Sequence, residues 1–241
     1  MSSLVRDWAR RLFGGNPSLT DDLQQRLTVW QALPATGRDV ALSHQEWLVV
    51  DVETTGLDIH ADELLAIGAV AIVGSDISLA TSFDAVLRQP SVSSRDNILI
   101  HRIAGDEQRS GHDPAETLLS FLHFAGKRPF VGYHAAFDRA MIVKAMRKYL
   151  GIGLDTPFLD LALVAPALHA GSDKPSDSLD DWLQRYGIVI AQRHCAVFDA
   201  LGTAQFFQVL LDRARARGIE RTPQLFALAD DQAWLNRSRR H

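Results

Sequence analysis

The chain has 241 residues, 46% of them hydrophobic and 22% charged, with a formal charge of −4; it can bury one sizeable core, and its charge is not that of a tight duplex binder. Its single cysteine, Cys195, excludes an intramolecular disulfide framework and a cysteine-rich zinc site. No apolar run is long enough to span a membrane and no secretory apolar region opens the chain, so the expected location is cytoplasmic.

In chain order, Leu4, Val5, Trp8 and Leu12 form an apolar stripe at helical spacing beside Arg6, Arg10 and Arg11, ahead of a turn at Gly14 to Pro17. A second helix is expected at about Leu19 to Leu33. Residues 1–44 are therefore read as an N-terminal helical extension packed onto the domain, the other reading being a docking or membrane-surface helix.

Trp47, Leu48, Val49 and Val50 form the short apolar run of a strand covered on both faces, and Thr54, Thr55 and Gly56 mark its end. Side chains alternate along a strand, so Asp51 and Glu53 point one way and Val52 the other. Two carboxylates held that close resist ionising together unless a cation lies between them. The alternative is an acidic pair in a solvated turn. Leu64 to Val73 reads as a buried strand, Gly74-Ser75-Asp76 as a turn, and Ile77, Leu79, Thr81, Phe83, Ala85 and Leu87 as the alternating face of a partner, giving a three-strand antiparallel meander.

A helix around Ala115 to Gly126, a strand at Pro129 to Gly132 and a helix from Ala136 to Leu150 favour parallel additions, hence a mixed α/β sheet flanked by helices. In the last of these helices Asp138 is followed at three, four and seven residues by Met141, Ile142 and Ala145, so it faces inward. A first-turn acid favoured by the helix dipole is the other reading. Lys144, Arg147 and Lys148 share a face read as solvated charge. Gly151 and Gly153 lack the third glycine and the preceding strand of a dinucleotide loop, and serve as a helix stop. Asp160 to Ala170 and Ser178 to Tyr186 read as helices around the polar stretch GSDKPSDS, an exposed connection or a segment able to move over a substrate.

His194 and Asp199 are five residues apart, which at about 100° per residue would set them roughly 140° apart on an unbroken helix. His194 is thus expected on the loop entering a helix, with Asp199 in its early turns. Gly202, Thr203 and Phe206 follow Asp199 at three, four and seven residues, small neighbours that leave room for an ion or substrate. Alone, a histidine here reads as a hydrogen-bonded structural residue. Cys195 adjoins it, but neighbouring side chains diverge, which argues against a thiol nucleophile. Arg213, Arg215, Arg217 and Arg221, then Arg237, Arg239 and Arg240, define residues 213–241 as a basic C-terminal tail, touching phosphate or keeping the end soluble.

VVDVETTG, YHAAFD and HCAVFDA, in this order, resemble the three motifs of the DEDDh exonucleases, the superfamily of the proofreading epsilon subunit of bacterial DNA polymerase III. The separations, 138 − 53 = 85 and 199 − 138 = 61 residues, are similar to that family's. The resemblance covers about residues 45–212, read as an exonuclease domain, and implies an RNase H-like fold with its acids at strand and helix ends. Where many members carry His-Asn, this chain has Tyr133 and His134, which leaves Asp138 in place. IHRIAGDE resembles the segment whose histidine touches the terminal nucleotide; that residue would be His101, with Asp96 in a nearby role. Leu57 matches the position that packs against the terminal base, capping of the core being the alternative. Thr54, Thr55 and Phe137 complete the implied substrate contacts.

The resemblance further implies two Mg²⁺ or Mn²⁺ ions, about 3.5 to 4 Å apart, clamping an in-line phosphoryl displacement. Asp51 would bridge them, Glu53 and Asp199 would complete the site of the attacking water, Asp138 would serve the other ion, and His194 would be the general base. Nucleoside 5′-monophosphates would leave from the 3′ end of single-stranded DNA, with a DNA polymerase or another replication or repair protein as partner. The alternatives are a 3′-5′ exoribonuclease and a catalytically weak nucleotide-binding regulatory module on the same fold.

Overall fold

Val, Leu and Trp crowd the segment Trp47–Thr54, and it forms strand β1, paired antiparallel with β2 (Leu64–Val73), which pairs antiparallel with β3 (Asp76–Val86). On its other side β1 runs parallel to β4 (Phe130–Gly132), and β4 parallel to β5 (Phe158–Asp160), giving the order β3-β2-β1-β4-β5. The meander and the parallel addition at Phe130–Gly132 are those expected. β5 is not, because three residues are too few to show a period. The computed structural model describes residues 19–37, 39–74, 76–169 and 178–238. The expected helix at Leu4 to Leu12, the turn after it, residues 171–177 of the polar loop, and Arg239 and Arg240 lie outside the described residues.

Both faces of the sheet are covered, and the period of two along β1 assigns its residues between them. Leu48, Val50 and Val52, with Ile67, Ala69 and Phe130, meet helices α1 (Asp21–Gln31), α4 (Pro114–Ala125) and α5 (Ala136–Leu150). Trp47 and Val49, with Val70, Ile72, Val131 and Leu159, meet α6 (Leu161–Leu168), α7 (Leu179–Arg185), α8 (Ala196–Ala216) and α9 (Thr222–Ser238). Two short helices, α2 (Arg95–His101) and α3 (Gly105–Ser110), follow β3 and were not expected; each is under two turns and carries no stripe.

The second helix of the N-terminal extension packs as expected. Thr20 caps α1, its hydroxyl accepting from the Leu23 amide, and Leu23, Leu27 and Trp30 are buried at helical spacing. The Trp30 indole N–H donates to the Gly126 carbonyl at 2.9 Å.

The basic tail expected at 213–241 is corrected. Its first residues finish α8, and α9 docks through Leu225 and Ala229, both buried, with the Phe226 ring 6.3 Å from that of Trp47. The Thr222 amide donates to the Val40 carbonyl and the Leu42 amide to the Glu220 carbonyl, so this end is stitched to the segment that precedes β1. The described arginines of this segment, Arg213, Arg215, Arg217, Arg221 and Arg237, are exposed, and its apolar members decide the packing. Among the described residues no helix is long and apolar enough to cross a membrane.

Candidate active site

Asp51 and Glu53 continue the Trp47 and Val49 row of β1, on the face that α8 covers, and Val52 lies in the opposite core. This is the alternation expected. The β1–β2 register slips between Glu53 and Thr54, which ends regular pairing beside the acids.

A glycine decides how closely α8 approaches. Gly68 of β2 stands opposite Asp51 in the register, and a Cβ built on it would lie 2.0 Å from the Ala196 carbonyl carbon and 2.1 Å from the Val197 nitrogen. Only hydrogen at that position lets the first turn of α8 rest on the sheet. Asp199, in that turn and buried, thereby reaches the strand acids: Asp51, Glu53 and Asp199 each offer a carboxylate oxygen within 4.8 Å of the others.

Asp138 comes from the first turn of α5, on the other face of the sheet, and is buried at the end of β1, where its carboxylate accepts the Val52 amide. Its charge is the strongest of its neighbours' on Asp51. The inward orientation expected for it is the one observed.

Asp51, Glu53 and Asp138 are each held above the usual carboxylate range. Burial above all, then the charges of Asp138, Asp199 and Glu53, push Asp51 well above the usual carboxylate range, while Arg193 pulls it back. Glu53 is raised to about 7 by burial and then by Asp199, again with Arg193 opposing. Asp138 is raised to about 7 by burial, partly countered by its backbone hydrogen bonds. Asp160, at the end of β5, adds to that rise; it caps α6 through the Ala162 amide and also accepts the His134 amide, both at 2.9 Å.

His194 sits on the turn entering α8, exposed, with φ at +59°. Its amide donates to Asp199 Oδ2 at 2.8 Å, which explains the spacing of five: the turn wraps the carboxylate of the helix that follows it. Arg193 donates to the other oxygen, Oδ1, and to Asp180 Oδ1 at 2.9 Å. Sequence reasoning passed over Arg193 and Asp160. The first neighbours a recognised motif; the second precedes an apolar helical run, as helix caps do. Burial raises the Cys195 thiol above its ordinary pKa, in keeping with the reading that it is no nucleophile.

The residues implied by resemblance as substrate contacts lie in different settings. Leu57 is 86% exposed at the tip of the loop after β1. Thr54 and Thr55 spend their hydroxyls on that loop: Thr54 donates to the Gly56 carbonyl at 2.6 Å, and Thr55 to Asp62 Oδ1 at 2.8 Å. Asn97 of α2 donates to the Thr55 carbonyl, and Lys144 of α5 to the Asp62 carbonyl at 2.5 Å. Lys148 pairs with Glu63 at 2.9 Å. Lys144 and Lys148 thus hold the loop, a correction to their reading as solvated charge.

His101 lies inside the protein. It is 4% exposed, its Nδ1 accepts the Ile103 amide at 3.0 Å and its Nε2 lies 3.1 Å from the Ser93 hydroxyl, so the ring anchors the backbone after α2. Asp96 is exposed in the first turn of α2, and Phe137 is half-buried against the core of the α5 face. The space expected beside Gly202 is filled: a Cβ there would meet the Ile190 side chain at 2.6 Å.

An all-oxygen, partly buried and mutually repelling donor set fits hard divalent cations, because a cation among the acids removes the obstacle to their ionisation.

A family model described as Exonuclease (RNase T) matches residues 48–207. The DNA polymerase III PolC-type protein of Thermotoga maritima is 28% identical over 192 residues, covering 80% of this chain and 14% of that protein. A DNA polymerase III subunit epsilon-like protein of Rhodobacter capsulatus is 31% identical over 186 residues, covering 75% of this chain and 26% of that protein. The chain therefore spans only a minor part of these relatives. Among solved structures, E. coli exonuclease I in complex with a dT13 oligonucleotide superposes with a TM-score of 0.61 at 18% identity, covering 72% of this chain and 42% of the other. Cell-death related nuclease 4 (CRN-4) gives 0.59 at 15%, covering 70% and 64%. At these identities the likeness establishes the fold, which is RNase H-like.

Proposed function

The chain belongs to the exonuclease family whose model spans residues 48–207, and from that premise we propose that it releases nucleoside 5′-monophosphates one at a time from the 3′ ends of single-stranded DNA, using two Mg²⁺ or Mn²⁺ ions. One observation carries this reading: Asp51, Glu53 and Asp199, brought together from β1 and α8, face one another within 4.8 Å with Asp138 behind them. Asp51, Glu53, Asp138 and Asp199 would hold the ions, Asp51 as the shared ligand, Glu53 and Asp199 on the side of the attacking water and Asp138 on the other. Bound there, such ions supply an activated water and neutralise the charge that develops on the scissile phosphate.

The remaining chemistry belongs to side chains. His194 stands exposed on the turn tied to Asp199 and accepts the proton of the attacking water at a ring nitrogen, a task suited to imidazole near neutral pH. Leu57, exposed on a braced loop, packs against the terminal base, and Phe137 and Asp96 flank the same end. Thr54 and Thr55 act through the shape of that loop. The catalytic unit is residues 45–212, onto which α1 and α9 dock. A DNA polymerase or other replication or repair protein is the proposed partner and the cytoplasm the proposed location, on the support of the relatives' names.

Digestion of 5′-labelled single-stranded DNA and RNA with Mg²⁺, Mn²⁺ or chelator, beside Asp51→Ala and His194→Ala, tests this. A DNA ladder shortening from the 3′ end, lost with chelator and with Asp51→Ala, is expected. Full activity in Asp51→Ala would remove the proposal, binding without turnover would leave a regulatory module, and preference for RNA would change the substrate.

A further inference from the structure

Arg193 stands where the acids most need positive charge. Its guanidinium bridges two carboxylates that differ in kind: the Asp199 side chain is 6% exposed and belongs to the acid site, whereas that of Asp180, on α7, is 67% exposed. Each Asp199 oxygen already accepts one hydrogen bond, Oδ1 from Arg193 and Oδ2 from the His194 amide. The positive charge of Arg193 acts on Asp51 and Glu53 as well as on Asp199, so a cation entering among these three acids is repelled by the guanidinium and competes with it at Oδ1. The guanidinium carries several donors on a planar fork and can leave one acceptor while keeping the other.

We infer that Arg193 is the built-in counter-cation of the acid site: it holds Asp199 toward Asp51 and Glu53 while no divalent ion is bound, surrenders Asp199 Oδ1 to the ion, and keeps Asp180 as its second seat. The inference rests on the proposed reading of the acids as metal ligands. Its physical basis is that clustered buried carboxylates without a cation repel one another and would splay apart. The side chain of Arg193 is about a third exposed, at 35%, so it can swing without repacking the core. Arg193 is a positioning residue on this account. Asp180 sets how readily it lets go.

The experiment measures Mn²⁺ affinity by calorimetry and by the electron paramagnetic resonance of free Mn²⁺, without nucleic acid, and thermal unfolding in chelator. Arg193→Gln is expected to bind Mn²⁺ on the order of tenfold tighter, the size of one charge-assisted hydrogen bond no longer in competition, and to melt earlier than the parent in chelator. Asp180→Asn, a surface change, is expected to act in the opposite direction, weakening Mn²⁺ severalfold, because Arg193 then has no second seat. Arg193→Lys, a single point charge, should fall between parent and Arg193→Gln. Unchanged or weaker Mn²⁺ binding in folded Arg193→Gln, or tighter binding in Asp180→Asn, would overturn the inference and leave the proposed function standing. Absence of Mn²⁺ binding in every folded variant and the parent would sink both.

Discussion

At the scale of single residues, the site is governed by one missing side chain and four present ones. Gly68 has an ordinary backbone conformation; its identity matters because the first turn of α8 lies where a Cβ would be. The obstructing atoms are backbone, which cannot rotate away. Gly68→Ala is therefore expected to destabilise by more than the ~1 kcal/mol typical of point mutations and to weaken Mn²⁺ binding by pushing Asp199 from Asp51. Urea unfolding and calorimetry check both, and an unchanged midpoint with unchanged affinity would contradict the packing described. The acids also make a pH signature. Glu53 and Asp138 have folded pKa values near 7, above their unfolded values, so between the usual carboxylate range and about pH 7 the native state binds protons that the unfolded chain does not. Metal-free stability should then fall as pH rises through this window and be highest toward its acid end. Mn²⁺ should flatten the slope. Thermal melts across pH 5 to 8, with and without Mn²⁺, measure it, and a rising metal-free profile would show that the acids are not gathered.

At the scale of elements, α9 shows how charge can mask packing. Seven arginines after residue 212 suggest a solvated tail, yet Leu225 and Phe226 face inward while Trp234 stays 60% exposed. Leu225→Ala should cost about 2–5 kcal/mol, the range for emptying a buried leucine site. Trp234→Ala should leave stability within about 0.5 kcal/mol. Chemical denaturation distinguishes these outcomes, and equal small effects would return the segment to the status of a tail. The loop after β1 is a second element whose role emerges from its contacts. Gly56 has Asp62 where a Cβ would sit, Thr55 binds that same carboxylate, and Lys144 holds the loop from α5. Bracing of this kind lets Leu57 remain exposed at the tip. The helix that provides Asp138 thus also anchors the loop proposed to meet the terminal base.

At the scale of the whole molecule, the acids come from both layers over the sheet. β1 supplies two, α5 supplies Asp138 from one face, and α8 supplies Asp199 from the other, all at the end where β1 stops. The strand alternation, the inward face of Asp138 and the place of His194 ahead of its helix were legible from sequence, because each follows from a local period of two or 3.6 residues or from a fixed offset. Motif order likewise pointed to the exonuclease family and its RNase H-like sheet. Tertiary structure alone decided that Gly68 admits α8, that Arg193 joins Asp180 to Asp199, that His101 is turned into the protein and that α9 is docked. Those outcomes depend on which distant segments share a surface, and local periodicity carries no information about the element that will face a residue across a strand.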